Sequence, residues 1–542
     1  MASSSRVRVR LRNRLGILGI ASLAAVAIYL YGTVGGLELQ SRMKQGFEVG
    51  LAPLKSSMAG IGGSLGGKAG AAGHGGDPGL EDEIQEPQDR HDTRPKADKP
   101  PVDSDTPSDA QTDSIPPHAQ SKTFSLPGAV PPSYIGQHAF TTIPNSAHVF
   151  GYTVLDNLYL RNGTFYVLAS VAEEPPRRQL LSIPVELNAE NKETDPRDTE
   201  LQYLAPEDAE KVLGDTRAMR IPGTSAVVYD PAQFMTHYYH WFGEIILGLW
   251  RVYSHLLVTE GEGQVVDWTV LPPVQRFILP FISSDAAWRD RAGVDAPIMR
   301  AAFPGVSIET GSYWRDLERL ESTVVFERVI LVNRAAAHKH PFGSVWHKMA
   351  AGAMNVTVPD DFWRPIRENV WNSLWGPAAV QATRQRPLVT YISRQGGGRR
   401  LIHEDHDALV ESLHELELQG ICDVQVVRME TLSLKEQIGL MRNTTILLGV
   451  HGNGLTHQLW MQPSPHSAVI EMLIPGGYVF DYEMLARNMG HRHYAVWNDT
   501  YVTYEKGVYH KGVNYPEDFH GEKIPVYGPA VADIIRARLR ER

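Results

Sequence analysis

The sequence predicts an α/β protein: a globular region of about 400 residues, enough for two α/β domains, set behind a membrane-spanning helix and a polar stem. Three observations carry this reading. From Leu388 onward, short β-branched apolar runs alternate with helical patterns, as in a parallel sheet wound with helices. Within that region Thr445–Met472 reads as strand, polar glycine turn, short helix and strand, one complete βαβ unit. At the other end of the chain, an uncharged apolar run follows a cluster of arginines.

Residues 1–14 hold Arg6, Arg8, Arg10, Arg12 and Arg14 and form a predicted cytoplasmic tail. Residues 15–34 are apolar, at about twenty residues long enough to span a bilayer, and longer than the apolar part of most signal peptides. Small residues at Ala21, Ala24, Ala25 and Ala27 leave a cleavage site as the alternative. The positive-inside rule keeps the arginines cytoplasmic, which gives a single-pass type II topology with the remainder lumenal, in the endoplasmic reticulum or Golgi. Residues 35–133 form a predicted disordered stem: Ser56–Gly76 is mostly Gly, Ala and Ser, and Asp77–Pro117 is charged, proline-rich and almost free of aromatics. Such segments bury too little apolar surface to offset the entropy of ordering.

The net charge is −10 for the chain and +5 for its first 34 residues, which leaves −15 for the rest. This argues against a nucleic-acid protein, which shows a basic patch or stripe. Cys422 is the single cysteine, so no disulfide can form within the chain and stability must come from packed core. Asn162, Asn355, Asn443 and Asn498 each begin an N-glycosylation sequon, usable in a lumenal protein. Asn443, directly before the central strand, risks being too buried.

The first globular domain is expected over residues 134–380. Val149–Val154, Thr164–Ala169 and Ala226–Tyr229 are β-like, and Val324–Val332 reads as a buried parallel strand. Phe342–Met354 and Phe362–Leu374 read as helices. Pro231–Leu257 is a predicted amphipathic helix with Thr236 as its N-cap. In it His240, Glu244, Leu247 and Arg251 share one face. A histidine and a carboxylate one turn apart suit a general base and its orienting partner. The alternatives are a satisfied His–Glu pair on a packed helix, or a metal site of His237, His240 and Glu244, which needs three convergent ligands from one helix.

The second domain, residues 381–542, is more regular. Strand Leu388–Ser393 runs into Arg394, a glycine run, Arg399 and Arg400; helix Glu404–Leu418, strand Val424–Val427 and helix Leu434–Arg442 lead to the central strand Thr445–Val450. Ser467–Met472, helix Phe480–Asn488 and strand Arg492–Val496 complete the pattern. Guanidinium forks match phosphate oxygens, and a helix start offers N–H groups to an anion. Arg394, Arg399 and Arg400 at one strand end, with Gly452 and Gly454 at the other, therefore suggest a diphosphate ligand. A solvated basic loop and a purely geometric glycine turn are the plain alternatives. Asp405 and Asp407 lie in an acidic helix start, where they favour the helix dipole.

The blocks HYYHWFGEI, VVFERVILV, YISRQGGGRRLIHED and GVHGNGLTHQLWM followed by VIEML, in that order, resemble glycosyltransferase family 61 over roughly Ala226–Val496. The family contains lumenal type II protein O-linked N-acetylglucosaminyltransferases and plant xylan arabinosyl- and xylosyltransferases. The resemblance implies a GT-B-like fold, two Rossmann-like domains facing across a cleft, and inverting transfer from a UDP-sugar such as UDP-GlcNAc or UDP-xylose to a glycan or glycoprotein acceptor. It assigns Arg394, Arg399 and Arg400 to the donor diphosphate and Gly452, Gly454, Leu455 and Thr456 to the donor loop. Glu471 becomes the candidate for the ribose hydroxyls, His240 with Glu244 the candidate base on the acceptor side, and His451 the competing base. It implies no cofactor and no required metal. His403 stands where members usually have Asn, a departure at the donor contact. A glycan-binding scaffold on the same fold, or a metal-dependent hydrolase, are the readings from other classes.

Overall fold

The computed structural model describes residues 138–169, 175–184, 194–214, 218–258, 266–376 and 385–541. The expected membrane span at 15–34 and stem at 35–133 lie outside them. No helix of the described residues is long and apolar enough to cross a membrane.

The chain forms a mixed α/β fold with two sheets of mostly parallel strands. The first contains β1 (His148–Val149), β2 (Tyr152–Arg161), β3 (Thr164–Leu168), β4 (Leu201–Leu204), β5 (Met219–Val228), β6 (Val274–Ile278), β7 (Ser307–Glu309) and β8 (Val324–Val332). Their order is β4-β3-β2-β8-β5-β6-β7, with β1 paired to β2. β8 is central, parallel to β5 as its apolar run predicted, but antiparallel to β2 on its other side. The expected single strand over Val149–Val154 is instead broken by a turn at Phe150–Gly151, with Val149 ending β1 and Tyr152–Val154 opening β2. Gly151 has φ 75°, and a Cβ there would lie 2.4 Å from the carbonyl oxygen of Asn333.

The second sheet contains β9 (Leu388–Ile392), β10 (Asp423–Val427), β11 (Ile446–Val450), β12 (Ala468–Met472), β13 (Arg492–Trp497) and β14 (Thr500–Val502), in the order β10-β9-β11-β12-β13-β14. All pairs are parallel except β13 with β14. Its strands are buried throughout β9, β11 and β12, which is why they read as unbroken apolar runs. The chain leaves β9 toward β10 on one side and returns to β11 on the other. The carboxyl ends of β9 and β11 therefore form a topological switch point, the crevice where ligands of such sheets bind.

The predicted helix over Pro231–Leu257 differs most from expectation. The chain forms a π-helix over Tyr239–Ile246, then α1 (Leu247–Ser254). Thr236 does not cap it, since the helix begins after Tyr238 with no side-chain cap. Every residue of the π-helix is buried. Its aromatic residues and Gly243 pack against the second half of the chain: Phe242 meets Trp460, Trp460 Nε1 donates to Tyr238 Oη at 2.6 Å, and Gly243 leaves room for Leu485. One apolar core thus runs from Val228 and Val332 of the first sheet to Leu447 and Val469 of the second. The alternate residues Ile446, Leu448 and Val450 face a separate core on the far side.

Candidate functional site

The loops at the switch point bring the expected arginines together. Arg394, after β9, donates from Nη1 to the carbonyl oxygen of His451, after β11, at 2.7 Å. Arg399 donates to the same oxygen at 3.1 Å and contacts His520 Nδ1 through Nη2 at 2.9 Å. Arg400 turns outward to Glu522 at 2.6 Å. Gly452 is required here on two counts: its φ is 148°, and an added Cβ would sit 1.6 Å from Arg394 Nη1. The following helix is 3₁₀, spanning Asn453–Trp460. Gly454 lets it pass Ile392, while Leu455 and Thr456 are buried beneath the loop. Thr456 donates to Asn453 Oδ1, which also accepts the backbone N–H of Tyr239 at 3.2 Å and so ties the loop after β11 to the π-helix.

Glu471 does not face a ribose-sized opening. It is fully buried, and its oxygens accept from His451 Nδ1 at 2.5 Å and His493 Nε2 at 2.8 Å. The register explains this. Glu471 pairs with Gly449 on β11 and Ala495 on β13, two positions with little side chain. His451, just past the end of β11, lies two residues after Gly449, and His493 lies two residues before Ala495 on β13, each on the same face as a diagonal neighbour. Burial pushes the Glu471 carboxyl up, but the hydrogen bonds and charge of the two imidazoles outweigh it and hold it down at about 2. Burial lowers the pKa of His451, against Glu471, which raises it.

Across the junction lies a second pair. His240 Nδ1 is 2.6 Å from Glu244 Oε2. Glu244 is fully buried; Oε2 also accepts from Arg334 Nη1 at 2.9 Å, and Oε1 accepts the backbone N–H of Met349 at 3.0 Å. Burial would raise the Glu244 pKa, yet the charge of Arg334, with His240 and Lys348, holds it well below the usual carboxylate range. An ionised carboxylate only accepts, so His240 carries a proton on Nδ1 and turns Nε2 away from Glu244. Rings connect the two pairs: Tyr239 touches both His240 and Tyr482, and Tyr482 touches His451. A buried ion pair from Lys348 to Asp481, 3.0 Å, crosses the same junction.

Leu247 is buried beyond Glu244, and Arg251 binds Asn488 and the carbonyls of Ala353 and Val356. Among the described residues, no group of three or more His, Cys, Asp or Glu is placed to hold a metal ion. Asp405 accepts the backbone N–H of Val526, and His403 is exposed beside Asp407. Of the sequons, Asn162 and Asn498 are exposed in tight turns and Asn355 is exposed, while Asn443 is half-buried with its amide donating to Gly439. Sequence reasoning missed Arg334, Lys348, Asn453, Asp481 and His493. Only His493 carried a signal, as a polar residue in an otherwise buried strand.

The switch point thus brings two arginines and a glycine loop close to a histidine–carboxylate pair. Residues 238–470 match the family model described as Glycosyltransferase 61, and over that stretch the chain is similar to this family. The match starts at the π-helix and ends one residue before Glu471. The EGF domain-specific O-linked N-acetylglucosamine transferase of Drosophila melanogaster is 36% identical over 142 residues, 25% of this chain and 26% of the relative. The chain thus spans about a quarter of the length of the curated relative it matches.

Proposed function

We propose that the chain is an inverting, UDP-sugar-dependent glycosyltransferase of the secretory pathway, with a GT-B arrangement and a type II anchor at 15–34. It transfers GlcNAc, or a pentose such as xylose, to a protein-linked or polysaccharide acceptor. The observation that carries the reading is the convergence of Arg394 and Arg399 on the His451 carbonyl at the switch point. Positive groups there stabilise a departing diphosphate without a metal. The matched relative's printed activity favours GlcNAc.

His240 accepts the acceptor's hydroxyl proton on Nε2. The oxygen so freed attacks the anomeric carbon, and the bond from that carbon to the diphosphate breaks with its electron pair leaving on UDP. Glu244 holds the ring. Glu471, with both oxygens taken by imidazoles, orients His451 under the donor loop. The test is a thermal-shift screen of the full chain with nucleotide sugars, since a ligand at a hundred times its Kd stabilises by about 2.7 kcal/mol. UDP-GlcNAc or UDP-xylose should raise Tm, and UDP alone should do so in part. No shift with any nucleotide sugar overturns the reading.

A further inference from the structure

A buried carboxylate beside an imidazole can be neutralised in two ways. It can draw a second proton onto the ring, or it can lie against another cation. A ring already protonated has no lone pair for a hydroxyl. Which of the two operates at Glu244 therefore decides whether His240 can serve as a base.

The cation is present. Arg334, at the start of the short helix α2 (Arg334–His338) after β8, is buried, and its Nη1 reaches Glu244 Oε2 at 2.9 Å. Two further contacts fix it. Its guanidinium lies 4.1 Å from the centre of the Phe234 ring, which itself meets the His240 ring at 4.9 Å. Its backbone N–H donates to both oxygens of Asp230, at 3.0 and 2.8 Å. The other titratable groups around the pair do not replace it. Asp230, at the end of β5, is pushed up to about 7 by burial against the pull of Arg334. His338 on α2 is driven down to about 3 by burial, with Arg334 adding to the effect. Lys348 adds to the pull on Glu244 after Arg334 and His240, and its own ion pair is with Asp481, at 3.0 Å. Tyr152 donates to the Glu244 backbone carbonyl, and the His237 and Tyr239 rings flank His240.

We propose that Arg334 is a positioning residue of the transfer site: its fixed charge neutralises Glu244, so that Glu244 orients His240 without drawing a second proton onto it. This rests on reading His240 as the base. Arg334 touches no substrate and acts through Glu244.

The test uses the full chain, UDP release from whichever of UDP-GlcNAc or UDP-xylose stabilises it, and ¹⁵N-labelled histidine. In Arg334→Gln, Glu244 is left with an unbalanced charge. The acid limb of the kcat/KM profile should move to higher pH by about one unit or more, about tenfold lower kcat/KM on the acid side, with UDP affinity within about twofold. The His240 resonance should titrate at correspondingly higher pH. Adding Glu244→Gln should bring both back, because the unbalanced charge is then gone. A rate lowered by one factor at every pH, with the His240 titration unmoved, overturns the proposal and leaves Arg334 a packing residue. If Arg334→Gln does not fold, Arg334→Lys and the Arg334→Gln/Glu244→Gln pair carry the test. Both should keep the wild-type limb, and a displaced limb in either overturns it. The two readings separate cleanly. A displaced titration in a chain that tolerates His240→Asn sustains the Arg334 role and removes the base assignment. An unmoved titration in a chain inactivated by His240→Asn does the reverse.

Discussion

Glu244 and Glu471 are both fully buried carboxylates holding a histidine by its Nδ1, and they differ in what balances their charge. Glu244 has a guanidinium against it. Glu471 has imidazoles against it, those of His451 and His493. A guanidinium is charged at any pH a protein meets, whereas an imidazole changes charge near neutrality. One pair is therefore clamped in a fixed protonation pattern. The other is adjustable, and it sits beside Arg394 and Arg399, which meet on the His451 carbonyl. A fixed pattern suits a residue that must accept a proton, and an adjustable one suits a residue that must accommodate a charged leaving group.

The sharpest way to break this comparison is to remove each histidine in turn. His240→Asn should lower kcat by about 10²–10⁴ with UDP affinity near wild type, since general-base removal costs that much. His451→Asn should weaken UDP binding first, because its ring and carbonyl underpin the donor loop. Steady-state kinetics with calorimetric UDP binding decides. If His451→Asn abolishes turnover at unchanged UDP affinity while His240→Asn retains it, the two pairs have exchanged roles.

A smaller effect is expected at the arginines. Arg394→Ala should weaken UDP binding about tenfold or more, as for loss of a hydrogen bond to a charged group. Arg394→Lys should recover little of it. Gly452→Ala should mimic Arg394→Ala in the same calorimetry, because the new methyl occupies the space of Arg394 Nη1. Unchanged affinity in Arg394→Ala, Arg399→Ala and Arg400→Ala would make the loop solvated surface.

The smallest effect is a difference in the pH dependence of stability, worth about a few kcal/mol at most. Glu471 is depressed to about 2 from an ordinary 4.5. Its contribution is present above 4.5 and lost as pH falls toward 2. Asp230 is raised to about 7 from 3.8. Its contribution is complete below 3.8 and lost as pH rises through 7. Glu471→Gln should therefore flatten the acid side of a Tm–pH curve and Asp230→Asn the neutral side. Parallel curves for wild type and Asp230→Asn between pH 4 and 7 would mean that Asp230 is ionised throughout.

The second sheet was legible because strands buried on both faces leave unbroken apolar runs, separated by helices of ordinary period. The meeting of Arg394 and Arg399 with the glycine loop was legible because both loops follow strand ends of one parallel sheet. The first sheet was harder. β2 runs antiparallel to both neighbours and its entry is a glycine turn, so Val149–Val154 read as one strand. The π-helix could not be read, since its i, i+4 pair of His240 and Glu244 looks the same in either helix. Arg334 was invisible for another reason: its partner is 90 residues away, and between Asn333 and three alanines it reads as an ordinary surface residue. Glu471 was read as a ribose ligand because strand ends favour such carboxylates. What decided otherwise was the pair of small residues beside it, Gly449 and Ala495, which matter only once the register is known.

The aromatic seam around Trp460 has a consequence for modularity. In many two-sheet enzymes the nucleotide half can be cut out or exchanged, because few apolar contacts cross between halves. Here Tyr238, Phe242, Trp363 and Trp460 interlock in one oily layer, so a fragment carrying the second sheet alone would bare the face that Trp460 and Leu459 complete. Such a fragment would present a sticky aromatic surface to solvent. The loops around Arg394 and Gly452 are therefore open to change by substitution, and the two halves are closed to exchange.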